Sequence, residues 1–488
     1  MEKRDQWDSR TAFVLASIGS AIGLGNIWRF PYICYANGGG AFLVAWLVAL
    51  FTAGIPLMIL ELGLGHKMEG AASEAFRKVN RKLEWFGWAA ILVGFFIVCY
   101  YAVIMSYCFS FVYHSLTLAW GDDPSGFFYQ ANLGMTNSPF EIGGIKGYIL
   151  LGLFLSWIFI FFSIWKGAKT VGKVVYATVL IPWFLLLVFV VRGVTLPGAV
   201  EGLTFYLAPD FQMLLSHKVW LAAYTQVFFS LSVGFGIMIA YSSFLPRKTD
   251  IVNNAFLISM SNCATSFLAG FAVFGALGYY AVKMGRPVAE VVASGPGLAF
   301  VTYPHIISNL PFWQPLFGVL FFLMLLTLGI DSAFSLAEAV AAGVIDKWKV
   351  SHRVSNTAVC SIAIIVGIIF TTGAGMLWLD IVDHFMNSFG LSLVCLGECV
   401  LIGWFFGSGK IKGYVNGISE FRIGAWWDAF VRFLIPIVLA VLILAELWER
   451  IKGSYGGYPR FAEFLGGWMI ILLLPVLGTI LMMVKRRE

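Results

Sequence analysis

Apolar residues run along this chain in long blocks, separated by short stretches where charge, glycine and proline gather. Blocks of about 20 apolar residues are what a helix needs to cross ~30 Å of hydrocarbon. The amphipathic stripes that mark the surface helices of a soluble domain are not the dominant pattern here. Twelve blocks are long enough, near 12–35, 41–65, 87–116, 146–165, 171–192, 219–244, 254–282, 313–345, 355–373, 379–407, 428–447 and 462–484. Inside lipid each must satisfy its own backbone hydrogen bonds. This predicts an all-α membrane protein of twelve transmembrane helices and excludes an open sheet.

Charge then orients the spans. An even count puts both termini on one side. Basic residues gather in the first tail (Lys3, Arg4, Arg10) and in alternate loops: Lys67, Arg77, Lys78, Arg81 and Lys82, then Lys166, Lys169 and Lys173. Arg247 and Lys248, then Lys347, Lys349 and Arg353, then Lys410, Lys412 and Arg422 continue the series, and Lys485, Arg486 and Arg487 end it. The opposite loops hold only Lys146, Arg192, Lys218, Lys283, Arg286, Arg450, Lys452 and Arg460. The positive-inside rule places both termini in the cytoplasm of a cell whose plasma membrane the chain crosses. An odd count would scramble the sorting.

Composition agrees. The chain is 60% hydrophobic and 12% charged, about half the charge of a soluble domain. Eighteen Trp and eighteen Tyr suit two lipid–water interfaces. The net charge of +6 belongs mostly to one membrane face and does not point to nucleic acid. Seven cysteines lie in or beside apolar runs without CxxC pairs, against a disulfide frame or a zinc site. The first apolar run reads as a span rather than a cleaved leader. The six His are scattered with no nucleophile–base or metal spacing, which argues against a membrane enzyme. No span carries the regular polar stripe of a channel or a substrate-gated receptor.

Two spans are interrupted where lipid should forbid it. The first contains Gly19-Ser20-Ala21-Ile22-Gly23-Leu24-Gly25-Asn26, and the sixth contains Ser230-Leu231-Ser232-Val233-Gly234-Phe235-Gly236. Small residues also serve close helix packing. Here the two segments hold corresponding places, each first in a set of five. That pairing is the mark of a transporter built from inverted repeats with broken helices. The chain then divides into a cytoplasmic tail (1–10), repeat one (11–192, helices 1–5), repeat two (219–407, helices 6–10) and a closing helix pair (428–484). A half-helix N-terminus offers amide N–H groups to an anion, and freed carbonyls can hold a cation. Arg29, Glu61, Asp331, Glu338, Asp383 and Glu398 are the charges buried in spans. Each is costly in lipid unless paired or hydrated. Asp331 beside Ser332 offers hard oxygen ligands. Arg29 and Asp383, opposite in sign and both toward the outer half, can meet. Glu61 and Glu398 read as structural, bonding loose backbone.

The string Gly19-Ser20-Ala21-Ile22-Gly23-Leu24-Gly25-Asn26-Ile27-Trp28-Arg29-Phe30-Pro31, followed by Asn37-Gly38-Gly39-Gly40-Ala41-Phe42, closely resembles the neurotransmitter:sodium symporter family. Cys99-Tyr100-Tyr101, Gln226 to Ser232, Asn262 to Ser266 and Asp331-Ser332 agree, and the likeness runs from Trp7 to the last span. The resemblance implies a sodium-coupled symporter that imports a small neutral amino acid by alternating access. A chloride-dependent carrier of a non-standard amino acid or an amino-acid-like osmolyte is the alternative. By the same resemblance one sodium is held by Asn26, Asn262, the Ala21 carbonyl and Ser230. A second uses the carbonyls of Gly19, Ile22 and Leu328 with Asp331 and Ser332. The substrate carboxylate meets the Leu24 and Gly25 amides and the Tyr101 hydroxyl; its amine meets the carbonyls of Ala21, Phe229 and Ser230, and Ser232. Ile97, Phe229, Phe235, Ser332 and Leu336 wall its side chain. Arg29–Asp383 is the implied outer gate and Arg4–Asp346 the inner one, with Trp7 nearby. Monoamine carriers of the family place Asp where Gly23 stands, so Gly23 implies a substrate that brings its own carboxylate. The short loop between spans three and four lacks the cysteine pair of animal members and implies a prokaryotic source. The family's chloride site maps to Gln226, Ser230, Asn262 and Ser266, with Trp46 in place of its Tyr; chloride-independent members often carry an acid at the position of Ser266.

Overall fold

A computed structural model describes residues 6–288 and 295–487. The described residues are mostly helical, and two isolated bridges (Gly39 with Pro209, Ile145 with Thr372) are their only β pairing. Nine of their helices are long and apolar enough to cross a membrane, or ten when one bent pair counts as a single span. The bent pair is α1 (Arg10–Ala21) and α2 (Leu24–Ala36), which meet at 59°. Then follow α3 (Gly40–Met68), α4 (Arg81–Ser115), α5 (Gly147–Ser163, short) and α6 (Ala168–Val194). The segments α7 (His217–Ser230) and α8 (Ile237–Ser242) are separate helices. After them come α9 (Ile251–Met284), α10 (Gln314–Trp348), α11 (His352–Thr371), α12 (Gly375–Asn416), α13 (Ala425–Gly457) and α14 (Arg460–Met483).

Several helix starts are set by side chains that accept the first free amides. Ser9 caps α1 through the Ala12 N–H at 3.0 Å, and Asp250 caps α9 through Asn253 at 2.9 Å. Burial separates core from lipid-facing helices. In its most apolar stretch α4 is 78% buried, whereas α13 is 17% buried. Long α4 and α10 lie along each other through the centre, and α6, α13 and α14 form the rim. Observed ends run past several expected ones: α12 extends to Asn416 and α10 to Trp348, because polar loop residues continue the helix beyond the apolar block.

Close approach in the core relies on glycine. An added Cβ at Gly65 of α3 would lie 2.0 Å from the Ile239 carbonyl oxygen of α8 and 2.3 Å from Ser242 Oγ. Backbone cannot yield as a flexible side chain can. Gly65→Ala should therefore lower stability by about 1–3 kcal/mol, read as a lower melting temperature in detergent. Gly409→Ala, where nothing lies within 4 Å, should leave the melting temperature unchanged or slightly raised.

Candidate functional site: two helix breaks around a central cavity

Helix α1 ends at Ala21, and Ile22 and Gly23 leave the helical region before α2 begins at Leu24. Its last turn presents the Ser20 carbonyl, which accepts from the hydroxyls of Ser232 at 2.8 Å and Ser332 at 3.1 Å. At the start of α2 the Leu24 N–H donates to Tyr101 Oη at 3.2 Å, and the Gly23 N–H to Asn26 Oδ1 at 2.9 Å. The break between α7 and α8 is built from left-handed residues: Gly234 at φ 82°, Gly236 at φ 72° and Ser232 at φ 54°. A non-glycine residue there is strained, and its hydroxyl bond to Ser20 helps hold it. The freed Gly234 N–H donates to the Glu61 carboxylate at 2.5 Å. Glu61 is fully buried on α3 with Glu398 of α12 beside it. Glu61 thus bonds loose backbone, whereas Glu398 faces Glu61 and bonds no backbone group among the described residues.

A cavity of about 340 Å³ lies against both breaks. Ala21, Gly23, Gly25, Asn26, Ile97, Tyr101, Phe229, Ser230, Ser232, Phe235, Ser332 and Leu336 line its inner part, which gathers most of the expected substrate positions. Leu24 contributes its amide, while its side chain is buried elsewhere. The cavity continues past Arg29 and Asp383 to Asp380, His384 and Tyr455. No direct Arg29–Asp383 ion pair is present among the described residues. The Arg29 guanidinium instead lies over the Phe229 ring, 4.1 Å from its centroid. Asp383 accepts from Tyr100 Oη at 2.7 Å and from Asn387 Nδ2 at 2.9 Å. Tyr100 and Asn387 are the partners that sequence reasoning missed. The spacing Asp383/Asn387, one helical turn, was an available signal for the second.

Two groups of hard oxygen donors flank the cavity. In one, Asp331 of α10 is 1% exposed and its Oδ1 has no hydrogen-bond partner among the described residues. It presses on α1, where a Cβ at Gly19 would lie 2.7 Å from Asp331 Oδ2. Ser332 follows it, and Leu328 precedes it by one turn. A buried carboxylate with an unmatched oxygen, set against a helix end, suits a hard cation. In the other group Asn26 Nδ2 donates to Asn262 Oδ1 at 2.9 Å and Ser266 Oγ at 2.7 Å, and Asn262 Nδ2 to Ser230 Oγ at 2.8 Å. Each amide oxygen keeps a second lone pair for a cation. Gln226, one turn before Ser230, is 1% exposed, and neither its Oε1 nor its Nε2 has a partner among the described residues. Trp46 is buried and packs on Phe30, centroids 4.7 Å apart.

At the far end Trp7 packs on α8. Its Nε1 donates to the Tyr241 carbonyl at 2.9 Å, and its N–H to the Phe244 carbonyl at 3.2 Å. Arg4 lies outside the described residues, so its expected pairing with Asp346 does too. The Asp346 carboxylate accepts the Ala71 N–H at 2.7 Å, where helix Ala72–Val79 begins. On that helix, burial raises the Glu74 carboxyl, but the Arg77 and Arg486 guanidiniums outweigh it and hold the group below the usual carboxylate range. The Arg486 ion pair, 2.6 Å long, ties the C-terminal tail to this end.

A polytopic helical chain with paired helix breaks around a central cavity has the architecture of a membrane transporter. The model of the sodium:neurotransmitter symporter family matches residues 4–124 and 121–488, and the chain belongs to that family. It is 42% identical over 485 residues to a sodium-dependent transporter of Methanocaldococcus jannaschii, covering 99% of this chain and 98% of the relative. It is 33% identical to a sodium-dependent dopamine transporter of Caenorhabditis elegans, over 95% of this chain and 84% of that one. To a sodium- and chloride-dependent GABA transporter 2 of Bos taurus it is also 33% identical, over 96% and 85%.

Two outcomes follow from this geometry. Asp331→Asn keeps shape and removes charge. At sodium a hundredfold above Kd, cation binding stabilises by about 2.7 kcal/mol; that sodium-dependent rise in melting temperature should vanish in the variant. In sodium-free buffer the variant should melt no lower than wild type, because the unmatched charge is gone. An unchanged sodium shift would remove Asp331 from the cation site. For Gly23→Asp, the new Cβ would lie 2.7 Å from Ser332 Oγ and 3.1 Å from Tyr101 Oη. Its carboxylate would face a substrate carboxylate at ~4 Å, about 4 kcal/mol at an effective dielectric of ~20. Binding of zwitterionic amino acids should weaken ~1000-fold; native affinity by isothermal calorimetry would contradict this placement.

Proposed function

We propose that the protein imports a small neutral amino acid with two sodium ions by alternating access. The observation that carries this reading is the cavity at the two helix breaks, with backbone amides of α2 on one side and carbonyl ends of α1 and α7 on the other. Such a cavity presents donors to a carboxylate and acceptors to an ammonium group. Gly23, crowded by Ser332 and Tyr101, leaves no room for a protein carboxylate, which favours a substrate that carries its own. Equal identity to dopamine and GABA carriers makes whole-chain likeness neutral on this point.

The same proposal includes twelve spans. The nine long helices, the α1–α2 pair, α5, and α7 with α8 make that number. The breaks then open two inverted five-helix repeats (11–192 and 219–407), followed by the pair 428–484. Both termini are cytoplasmic, the membrane is the plasma membrane, and the source is prokaryotic, in keeping with an archaeal relative. In this orientation the cavity reaches the outside past Arg29 and Asp383, while Trp7 seals the inside. The structure is then outward-facing, with the outer gate apart and Arg29 parked on Phe229. Closure brings Arg29 to Asp383 and folds Tyr101 and Phe229 over the substrate; release follows when the Trp7 seal and the Arg4–Asp346 gate part. Each sodium charge moved through 100 mV supplies about 2.3 kcal/mol.

Chloride as a co-ion is the second reading, favoured by one observation: the buried amide of Gln226 without a partner, beside the Ser230–Asn262–Asn26–Ser266 network. Two sodium ions and a zwitterion leave net positive charge in a low dielectric, and an anion offsets that cost. Under this reading GABA or a related ω-amino acid joins the candidate substrates, as the bovine relative's name suggests. A thermal-shift screen of amino acids and GABA, with and without sodium, decides the substrate. No sodium-dependent shift or uptake with any of them would reject the symport reading. For the ion, uptake into liposomes should be severalfold higher in chloride than in gluconate at fixed sodium, and Ser266→Glu should abolish that difference. Equal wild-type rates in both salts would exclude chloride coupling.

A further inference from the structure

A second cavity, of about 370 Å³, lies apart from the transport site. It sits between the last turns of α4, the loop segment Phe127–Asn132 and the first turns of α5. Phe109, Tyr113, Phe127 and Tyr148 form its aromatic walls, and Leu151 and Leu155 its apolar floor. The mouth faces outward from the helix bundle: Tyr113 is 71% exposed and Leu151 58%. Farther along α5, Phe154, Ile158 and Phe162 are exposed as well. On a membrane-spanning chain, such an apolar surface meets acyl chains.

The wall of this cleft carries a polar group that its surroundings do not satisfy. Asn132 is 1% exposed. Its Oδ1 accepts from the Ser110 hydroxyl at 2.7 Å, but its Nδ2 has no partner among the described residues. A buried amide donor without an acceptor is costly, so the site favours a ligand with a carbonyl or ether oxygen. The level along the membrane normal fits. Helix α5 has 17 residues, about 26 Å at 1.5 Å per residue, short of the ~30 Å hydrocarbon. Bilayers thin locally around a short span, which draws the polar glycerol region towards its first turn. There Tyr148 Oη donates to the Asn132 backbone carbonyl at 2.6 Å.

We propose that this cleft binds one membrane glycerolipid: a glycerol-linked oxygen accepts from Asn132 Nδ2, and one chain lies along Leu151 and Leu155. At ~30 Å³ per water-sized group, the volume holds roughly a dozen such groups. That suits a stretch of one acyl chain and is too small for a four-ring sterol.

The full chain should be placed in nanodiscs of phosphatidylcholine bearing a diazirine near the ester end of one chain, illuminated, and mapped by peptide mass spectrometry. Adducts should concentrate on residues 109–114 and 148–155. They should fall about tenfold in Leu155→Trp, which fills the cleft, and in the double variant Ser110→Ala/Asn132→Leu, which removes the donor. Unlabelled phosphatidylcholine should compete, whereas cholesterol should not. A retained sodium-dependent thermal shift certifies folding; if Leu155→Trp fails it, Leu151→Trp at the exposed mouth replaces it. Adducts spread evenly over the exposed faces of α5, α6 and α13 would overturn the proposal. So would labelling unchanged by the filling variants, or competition by sterol as strong as by phospholipid.

Discussion

Backbone hydrogen bonding in a lipid-surrounded interior is the constraint on which the rest of this structure depends. A helix interrupted there frees amides and carbonyls from their helical partners, and each group left unmatched costs several kcal/mol. This protein interrupts two helices and supplies partners from elsewhere in the chain. Glu61 takes the Gly234 amide, Tyr101 takes that of Leu24, and Ser232 and Ser332 both donate to Ser20. These partners come from α3, α4, α10 and the second break itself. The two breaks are therefore mutually supporting: Ser232, in a strained left-handed conformation in one, satisfies a carbonyl of the other.

The same constraint sorts the buried carboxylates. Glu61 bonds backbone, and its Glu398 neighbour shares that corner. Asp383 is held by a tyrosine and an asparagine. Asp331, like Glu61, leaves one oxygen unmatched by the described residues, and it does so beside the end of α1. An unmatched carboxylate oxygen set against a helix end places electrostatic cost where a cation can offset it. A cation bound there would also stabilise the relation of α1 to α10, because the carboxylate lies against Gly19. A ligand shifts an equilibrium only through differential affinity, and this contact gives a cation a way to prefer one arrangement of the two helices.

Much of this was legible in the sequence. Nine of the apolar blocks expected to span coincide with described helices long and apolar enough to cross a membrane, since burial in lipid is written as block length. The break positions were legible because Gly, Ser and Asn have no other reason to interrupt such blocks together. What could not be read is who faces whom across the fold. Tyr100 and Asp383 lie on separate helices, so the hydroxyl that holds Asp383 was invisible beside its neighbour Tyr101. The Arg29 guanidinium over Phe229 is a rotamer of one conformational state, and a sequence encodes all states at once. Gln226 was read as one polar side chain among several; only its burial without a partner sets it apart. Helix ends were missed for a related reason, as α12 continues to Asn416 after its apolar block has ended.

Coupling between substrate and ion follows from how few groups lie between their proposed sites. Ser332 neighbours Asp331 in sequence, lines the cavity and donates to Ser20. Asn26 lines the same cavity and joins the Asn262–Ser230–Ser266 network while accepting from Gly23. A ligand that repositions the α1–α2 break therefore moves atoms of both donor groups. Linkage makes such coupling reciprocal: if sodium tightens the substrate site by some factor, substrate tightens sodium by the same factor. Arg29 adds a second consequence. While it rests on Phe229, the ring that walls the cavity also holds the gate's cation by a cation–π contact. Moving Phe229 over a bound substrate disturbs that contact and frees the guanidinium for the carboxylate that Tyr100 and Asn387 hold in place. In the proposed cycle, gate closure and substrate burial would thereby be tied to the motion of one side chain.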